Sequence, residues 1–350
     1  MDVWRAGLRG VNTRWDRTAD ELRLLRDEWG VNVIRGLGNK TPLRWKQPPY
    51  GFNEENWALL HGLCDAAREA GMYVVIDIHT TPGTERHTTT GPNDLLWKDP
   101  QFHDLLVSTW ERIVREFKGR PEVIGYDLMN EPGIPADAEP GSPADWNALV
   151  ARLIKVIRAE DPDTPIIVEP PVVRAPGKLV HDRVTGLFYL PDPMPDSRIV
   201  YSPHFYFPGQ FTHQGLRGRP DGLKYPGCEA PFFHPEGGWE KVAWDRSVLE
   251  RVVQPAVKFQ QEHDAIIFWG EFSAPRWAPG ADQWVADVIS VFEEYGWSWA
   301  YHSFREAGVW NPEFGPHRDN TELLPDTPRL RTLKAAFAGN KGNCLPPEGD

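Results

Sequence analysis

The sequence predicts a single (β/α)8 TIM barrel, an α/β fold in which a closed ring of eight parallel strands is surrounded by helices. Two observations lead to this fold class. Eight short apolar runs recur along the 350 residues, and segments of helical periodicity separate most of them. Eight alternating units fit a closed barrel better than an open, doubly wound sheet. Because no linker, repeat or low-complexity block divides the chain, we predict one domain over residues 1–350.

The predicted strands are short, mostly apolar runs, as expected of buried strands. Several end on polar or charged residues, which a passive barrel rim does not require. In chain order the runs are RAGLRGVN (5–12), VNVIRGLG (31–38), MYVVIDIH (72–79), VIGYDLMNE (123–131), PIIVEP (165–170), RIVYSPHFY (198–206), AIIFWGEF (265–272) and WSWAYHSF (297–304).

The predicted helices lie between these runs, and their apolar residues recur with helical period. Gly30, Gly71 and Gly296 follow helical runs, as expected of glycines that end helices. The fifth unit is the exception, because residues 171–197 are typical of a loop or hairpin rather than a helix. The helical segments are 19–30, 55–71, 101–119, 144–162, 245–263, 281–296 and 327–339.

The composition excludes several kinds of partner. The formal net charge of −12 argues against nucleic acid or an anionic membrane, since both require clustered Lys and Arg. No apolar run approaches the roughly 18 residues of a transmembrane helix. The segment MDVWRAGLRG lacks the pattern of a signal peptide, so we expect either a cytoplasmic protein or one whose leader has been removed.

The sequence predicts no metal and no cofactor. Cys64, Cys228 and Cys344 are odd in number and lack the spacing of metal ligands, although pairing of Cys228 with Cys344 stays open. No Gly-rich phosphate loop, G-x-S-x-G elbow or H-E-x-x-H pair is present in the sequence.

The candidate functional residues are those at the C-terminal ends of the strands, where the site of such a barrel forms. Two segments, VIGYDLMNEPG and IIFWGEFSA, each deliver one carboxylate after an apolar strand. A buried carboxylate is costly unless it is paired or useful. Barrel closure would bring both carboxylates into one cavity. The candidates are Arg35, His79, Asn130, Glu131, His204, Tyr206 and Glu271.

Two carboxylates that face one cavity suit the hydrolysis of glycosides. This reaction needs an acid for the leaving oxygen and a second group for the oxocarbenium-like carbon. One carboxyl group must stay protonated while the other stays ionised, and different surroundings can separate their pKa values. Arg35 and Tyr206 could keep Glu271 charged, and Asn130 could bind a sugar hydroxyl. The 16 tryptophans offer flat faces for sugar rings as well as for core packing.

In these segments the sequence resembles glycoside hydrolase family 5, a family of retaining glycosidases built on (β/α)8 barrels. The resemblance implies that Glu131 is the acid/base and Glu271 the nucleophile. It also implies that Arg35 and Tyr206 flank the nucleophile, while the subsite of the cleaved sugar is lined by His79, Asn130 and His204. The matching segments occur in the family's order and are GVNVIR (30–35), VVIDIH (74–79), GYDLMNEP (125–132), YSPHFY (201–206) and FWGEFSA (268–274).

The end of the eighth strand departs from the family, whose members usually carry a tryptophan there as the floor of that subsite. The segment GWSWAYHSFRE places His302 at the matching position and Trp297 and Trp299 before it. We therefore expect Trp299 or His302 to support the cleaved sugar. For the individual tryptophans Trp45, Trp97, Trp269 and Trp310, packing and sugar stacking both stay open.

The resemblance predicts a retaining endo-β-1,4-glucanase that acts without a cofactor on a β-linked oligo- or polysaccharide, in a secreted or periplasmic setting. A β-mannanase and an exo-acting β-glucosidase stay open, because loops decide among these activities. A barrel that only binds carbohydrate is the remote alternative. The alternative to a catalytic role for Glu131 and Glu271 is a structural one, as carboxylates of the barrel rim that form salt bridges with arginine. Glu169 is a third strand-end carboxylate, but its context matches the family less well, and we do not assign it to the site.

Overall fold

The computed structural model describes residues 1–38, 54–84, 90–191, 194–340 and 345, and these form a closed parallel barrel. Neighbouring strands pair in chain order, and the eighth strand pairs back onto the first, with Arg9 opposite Trp299. The predicted fold class is confirmed. The barrel strands are β1 Arg9–Arg14, β2 Val33–Leu37, β3 Tyr73–Asp77, β4 Val123–Asp127, β5 Ile166–Val168, β6 Ile199–Tyr201 continued by His204–Phe205, β7 Ile266–Phe272 and β8 Ser298–Tyr301.

Helices surround the barrel at the predicted positions. Several begin at a side-chain cap, such as Asp99, Asp145 and Asp245, whose carboxylates accept backbone N–H groups of the first turn. Gly30 ends the first long helical segment with φ 85°, a left-handed conformation that favours glycine. The long helices are Ala19–Arg23 continued by the π-helical Leu24–Trp29, Glu54–Ala70, Pro100–Phe117, Trp146–Glu160, Arg246–His263, Ala281–Glu294 and Pro328–Phe337; shorter helical turns are Asp2–Arg5, Leu95–Trp97, Thr185–Tyr189, Gly209–Thr212 and Ala338–Asn340.

The interior of the barrel changes from apolar to charged along the strands. Val33 packs in the apolar cluster inside the barrel, and Arg35, two residues further along β2, shares its face because side chains alternate along a strand. Val75 and Asp77 repeat this arrangement on β3. The alternation therefore points charged side chains into the C-terminal end of the barrel.

The first strand begins later than predicted. Residues 2–5 form a short helix, and β1 starts at Arg9 rather than at residue 5. Trp4 of this helix packs edge-on against Phe268, with ring centroids 5.2 Å apart, and donates its indole N–H to the carbonyl of Ile124. The helix thus covers the N-terminal end of the barrel.

Two hairpins extend the barrel at its fifth and sixth connections. The first hairpin, Val172–Ala175 with Lys178–His181, confirms the expectation that residues 171–197 are not a long helix. The second hairpin, Cys228–His234 with Gly238–Trp244, was not predicted. Both hairpins contribute to the functional end of the molecule.

The structure also bears on the pairing of the cysteines and on whether a helix could span a membrane. Cys64 and Cys228 are free thiols, whereas Cys344 lies outside the described residues, as does Trp45. In the part of the chain that the structure describes, no helix is both long and apolar enough to cross a bilayer.

Candidate active site

Glu131 and Glu271 lie side by side at the C-terminal end of the barrel. One oxygen of each carboxylate and one ring nitrogen of His204 lie within 4.8 Å of one another. Glu271 belongs to β7, and Glu131 follows β4. Retaining glycosidases hold their two carboxyl groups about 5–5.5 Å apart, whereas inverting enzymes separate them by about 6.5–9.5 Å. The observed spacing fits the retaining geometry.

Glu271 is held in its ionised form. Arg35 donates from Nη1 to Oε1 of Glu271 at 2.8 Å, and the Tyr206 hydroxyl donates to Oε2 at 2.9 Å. Burial alone would raise the pKa of Glu271, but the neighbouring His302, His204 and Arg35 side chains lower that pKa well below its usual range. An ionised carboxylate with both oxygens oriented is what a nucleophile requires.

Arg35 is the fully buried cation at the centre of this end of the barrel. Its guanidinium lies 2.8 to 3.1 Å from the carboxylates of Asp77, Asp127, Glu169 and Glu271. Burial and the negative charges of Glu169 and Asp77 raise the pKa of Asp127, and their combined effect exceeds the lowering effect of Arg35. This shift favours the neutral form of Asp127 beside the guanidinium of Arg35.

Glu131 differs from Glu271 in its partners. Its backbone has φ 45°, and its N–H donates to Oε2 of Glu169 at 2.7 Å. Its carboxylate lies 3.1 Å from Nδ1 of His204 and accepts a hydrogen bond of 2.9 Å from Nη2 of Arg183. Burial alone would raise the pKa of Glu131, but Arg183 and His204 together lower it to about 2.

Sequence reasoning missed two of these contacts. Glu169 directly follows β5 and was not assigned to the site, yet it orients both the backbone of Glu131 and the guanidinium of Arg35. Its position after an apolar strand was the signal that could have placed it in the site. Arg183 follows the first hairpin, and no sequence pattern marks a loop residue that reaches the site through a hairpin.

The remaining predicted polar residues lie around the two glutamates. His79 lies 2.8 Å from Asp77, and although burial would lower the pKa of His79, the Asp77 carboxylate raises it. Asn130 accepts a hydrogen bond of 3.0 Å from Nη2 of Arg35. Burial would likewise lower the pKa of His204, but Glu169 and Glu271 raise it to about 10, so this imidazole is a cation between the catalytic carboxylates.

The prediction that Trp299 contacts the substrate is wrong. Trp299 has no exposed surface, stacks on Phe337 and donates its indole N–H to Glu293 at 2.8 Å. His302 does lie in the site, with Nδ1 3.7 Å from Oε2 of Glu271. The partly exposed Trp310 lies beside it, with ring centroids 5.1 Å apart. Trp310 is therefore an aromatic side chain that is available to a sugar next to His302.

Other tryptophans considered at the sequence level pack in the core. Trp97 is 4% exposed and Trp269 has no exposed surface, so neither offers a face to a ligand. The ring of Trp269 stacks on Phe292 with centroids 4.6 Å apart. Trp269 thus joins β7 to the helix Ala281–Glu294, and Trp97 packs against Trp146 of another helix.

The site contains the kinds of side chain that bind a metal ion, but cationic side chains already neutralise its carboxylates. Glu131, His204 and Glu271 are close enough to share an ion. However, both carboxylates already contact guanidinium groups, those of Arg183 and Arg35, and the imidazole between them is protonated. The prediction that no metal is bound stays a prediction.

The fold and the pair of buried glutamates define a glycoside hydrolase of the (β/α)8 barrel class. A family model described as cellulase, glycosyl hydrolase family 5, matches residues 2–308. The chain belongs to this family, as its sequence segments predicted. It is a glycosyl hydrolase.

Individual relatives are distant but cover most of the chain. Endoglucanase C of Acetivibrio thermocellus is 25% identical over 273 residues, which are 71% of this chain and 74% of that protein. Cellodextrinase A of Ruminococcus flavefaciens is 24% identical over 292 residues, 82% of this chain and 77% of that protein. The solved structure of a hyperthermophilic endo-beta-1,4-glucanase in complex with substrate has a TM-score of 0.71 and 18% identity; the match covers 96% of this chain and 100% of that one. This last similarity shows the shared fold.

Proposed function

We propose that the protein is a retaining endo-β-1,4-glucanase in which Glu271 is the nucleophile and Glu131 the acid/base. The observation that carries the proposal is the pair of carboxylate oxygens within 4.8 Å of each other at the strand ends. The short spacing leaves no room for a water between the groups, as an inverting reaction would require.

In the first step Glu271 attacks the anomeric carbon, and Glu131 donates a proton to the glycosidic oxygen as the leaving group departs. The electron pair of the C–O bond goes to that oxygen, and a covalent glycosyl ester forms on Glu271. Arg35 and Tyr206 orient the attacking carboxylate through their contacts of 2.8 and 2.9 Å. Their hydrogen bonds favour the charged form, which is consumed in this step and regenerated in the next.

In the second step Glu131, now ionised, takes a proton from water, and the resulting nucleophile attacks the same carbon. Glu271 departs as a carboxylate, and the product keeps the β configuration because two inversions have occurred. His204, which lies 3.1 Å from Glu131 and 3.8 Å from Glu271, holds positive charge near both groups throughout. Asn130 and His79 line the same cavity and offer hydrogen-bonding groups to the sugar.

The proposed substrate is a β-1,4-linked glucan, and the names of the relatives support this class. The catalytic set would equally serve a β-mannan or an exo-acting mode, so the loops around the site must decide. A polymeric substrate of this kind implies action outside the cytoplasm, in a secreted or periplasmic setting.

The proposal is tested by product analysis with soluble cellulose derivative, mixed-linkage β-glucan, mannan and xylan. An endoglucanase should release a ladder of oligosaccharides from the two glucans and lower the viscosity of the cellulose derivative early in the reaction. Release of a single sugar without loss of viscosity would assign exo action, and preferential cleavage of mannan would replace the proposed substrate. No cleavage of any of the four would overturn the proposal.

A further inference from the structure

A cavity of about 1130 Å³ opens beside the two glutamates. The two hairpins and the helix Arg246–His263 form its walls. Tyr206 and Arg183 line the cavity, and they are also the residues that contact Glu271 and Glu131. The cavity therefore adjoins the active site at these two side chains, while the two glutamates are not among its lining residues.

The cavity lies on the leaving-group side of the scissile bond. The acid/base must contact the glycosidic oxygen, and the departing part of the substrate extends from that oxygen. Arg183 bridges from the cavity wall to Glu131, with Nε 2.8 Å from Oε1. A leaving group next to Glu131 therefore enters the cavity past Arg183.

The cavity wall provides an aromatic surface suited to a sugar ring. Trp239, on the second hairpin, is 61% exposed, which is unusual for so large an apolar side chain. Its ring packs on Phe233 with centroids 5.1 Å apart, and this contact supports the ring from one side. Flat aromatic faces bind the apolar faces of sugars by stacking.

The wall is also cationic, although the protein as a whole is acidic. Two of its three acidic residues are neutralised from outside the wall, since Asp221 pairs with Arg318 and Glu229 pairs with Lys241. Three of the cationic wall residues are paired as well, Arg183 with Glu131, Arg251 with Glu240 and Lys258 with Glu262. Over the described wall, the excess positive charge that an anionic ligand would meet therefore lies at Arg174 and Arg219. The cationic wall residues are Arg174, Arg183, Arg219, Arg251 and Lys258.

The contact between Arg183 and Glu131 conflicts with the first catalytic step. Glu131 must carry a proton to donate, but a guanidinium against its carboxylate favours the ionised form. Moving Arg183 away from the carboxylate would lessen the conflict, because His204 would then be the remaining cation in contact with Glu131 among the described residues. The Arg183 side chain is 32% exposed, so it has access to the open cavity and a way to leave.

We propose that the cavity binds the leaving-group end of the substrate and that this end carries a carboxylate, which pairs with Arg183 and releases Glu131. The proposal rests on the proposed function and narrows its substrate class to β-glucan oligosaccharides with an acidic sugar, an aldonate or a uronate, on the leaving side. Once Arg183 has changed partner, Glu131 takes up a proton from solvent and serves as the acid.

The test compares two trisaccharides that differ only in one group. Cellotrionate ends in a carboxylate, and cellotriitol has a CH₂OH group in its place on the same open-chain sugar. The measured quantity is kcat/KM for release of cellobiose. The wild-type protein should prefer cellotrionate at least about tenfold, a difference that corresponds to about 1.4 kcal/mol.

Matched variants assign the preference to Arg183. In Arg183→Gln the preference should fall to about one, because the anion loses its charged partner while the position stays polar. Arg152→Gln is the control, since Arg152 is also partly exposed and paired with one acid, Asp104, but lies outside the cavity wall. It should keep the wild-type preference. A preference that survives in Arg183→Gln would overturn the assignment.

Calorimetry with two disaccharides that differ in the same group separates this inference from the proposed function. Cellobionate should bind the wild-type protein at least about tenfold more tightly than cellobiitol. Equal affinities, or no binding of either, would overturn the anion site even if β-glucan is cleaved. Absence of glucan cleavage together with the expected binding preference would overturn the proposed function and leave the anion site standing.

Discussion

The two sides of the active site are built from different parts of the chain. The nucleophile side consists of strand ends, where Arg35 from β2 and Tyr206 from β6 contact Glu271. The leaving-group side is completed by Arg183, which a hairpin insertion carries to Glu131. The barrel strands thus hold Glu271, which must be ionised when it attacks. An insertion contacts Glu131, which must lose and regain a proton during the reaction.

The largest expected effect is on the nucleophile side. Glu271→Ala should lower kcat on every substrate by at least about 10⁴-fold, because no covalent intermediate forms however good the leaving group is. The measurement is hydrolysis of both β-glucan and an aryl β-cellobioside with an acidic phenol. Glu262→Ala, at an exposed carboxylate of the helix Arg246–His263, is the control for loss of a glutamate alone. Substantial activity of Glu271→Ala on the aryl substrate would remove Glu271 from the nucleophile role.

The leaving-group side should respond differently to the same substitution. Glu131→Ala should lower the rate on β-glucan by about 10²–10⁴-fold but spare the first step for aryl glycosides whose phenols depart without protonation. A burst of phenol should therefore precede slow turnover. Azide should rescue the variant with a product of retained β configuration. If the Glu131 and Glu271 variants behave alike with the activated substrate, the two roles are assigned wrongly.

Two tryptophans on the nucleophile side, Trp310 and Trp299, should differ in whether they bind substrate or stabilise the fold. Trp310→Ala should raise KM about tenfold, because a stacking face next to His302 is lost. Trp299→Ala should instead lower the free energy of unfolding by about 3–5 kcal/mol, since it leaves a cavity among buried side chains. Denaturant unfolding and steady-state kinetics on both variants check this. A KM effect of Trp299→Ala at unchanged stability would restore it as a platform.

The smallest expected effect concerns pH. Arg183, His204, Glu271 and Glu169 face Glu131, and of these Arg183 is the cation that does not belong to a barrel strand. In Arg183→Gln the pKa of Glu131 should rise by about one unit or more, because the charged form loses its partner. The protonated acid then persists to higher pH, so the basic limb of kcat/KM on β-glucan should move upward. An unshifted limb would show that Arg183 does not control the acid.

The same ion pair has a signature in stability. The pKa of Glu131 in the folded protein, about 2, lies below the value of about 4.3 for an unfolded chain. The pair therefore contributes stability above pH about 4.3, and that contribution is lost as the pH falls through about 2. The free energy of unfolding of Arg183→Gln should fall less steeply over this interval than that of the wild-type protein.

The sequence was sufficient to predict the site residues at the strand ends, but not those that the insertions contribute. The apolar periodicity of β4 and β7 predicted the location of Glu131 and Glu271, because parallel strands of a closed barrel must bring their C-terminal ends together. Trp299 was assigned wrongly because side chains alternate along β8: Ala300 faces the barrel interior, so its neighbour Trp299 faces the helices. Arg183 could not be predicted, since its proximity to Glu131 depends on the path of a hairpin and not on any local pattern.

The central claim is that Glu271 forms the covalent intermediate while Glu131 supplies the proton. It is tested most directly by trapping the intermediate with a 2-deoxy-2-fluoro-β-cellobioside that carries a good leaving group, followed by digestion and mass spectrometry. The account predicts one added fluorocellobiosyl group on the peptide that contains IIFWGEFSA, located at Glu271. A label on Glu131 or on any other residue, or inactivation without a covalent label, would contradict it.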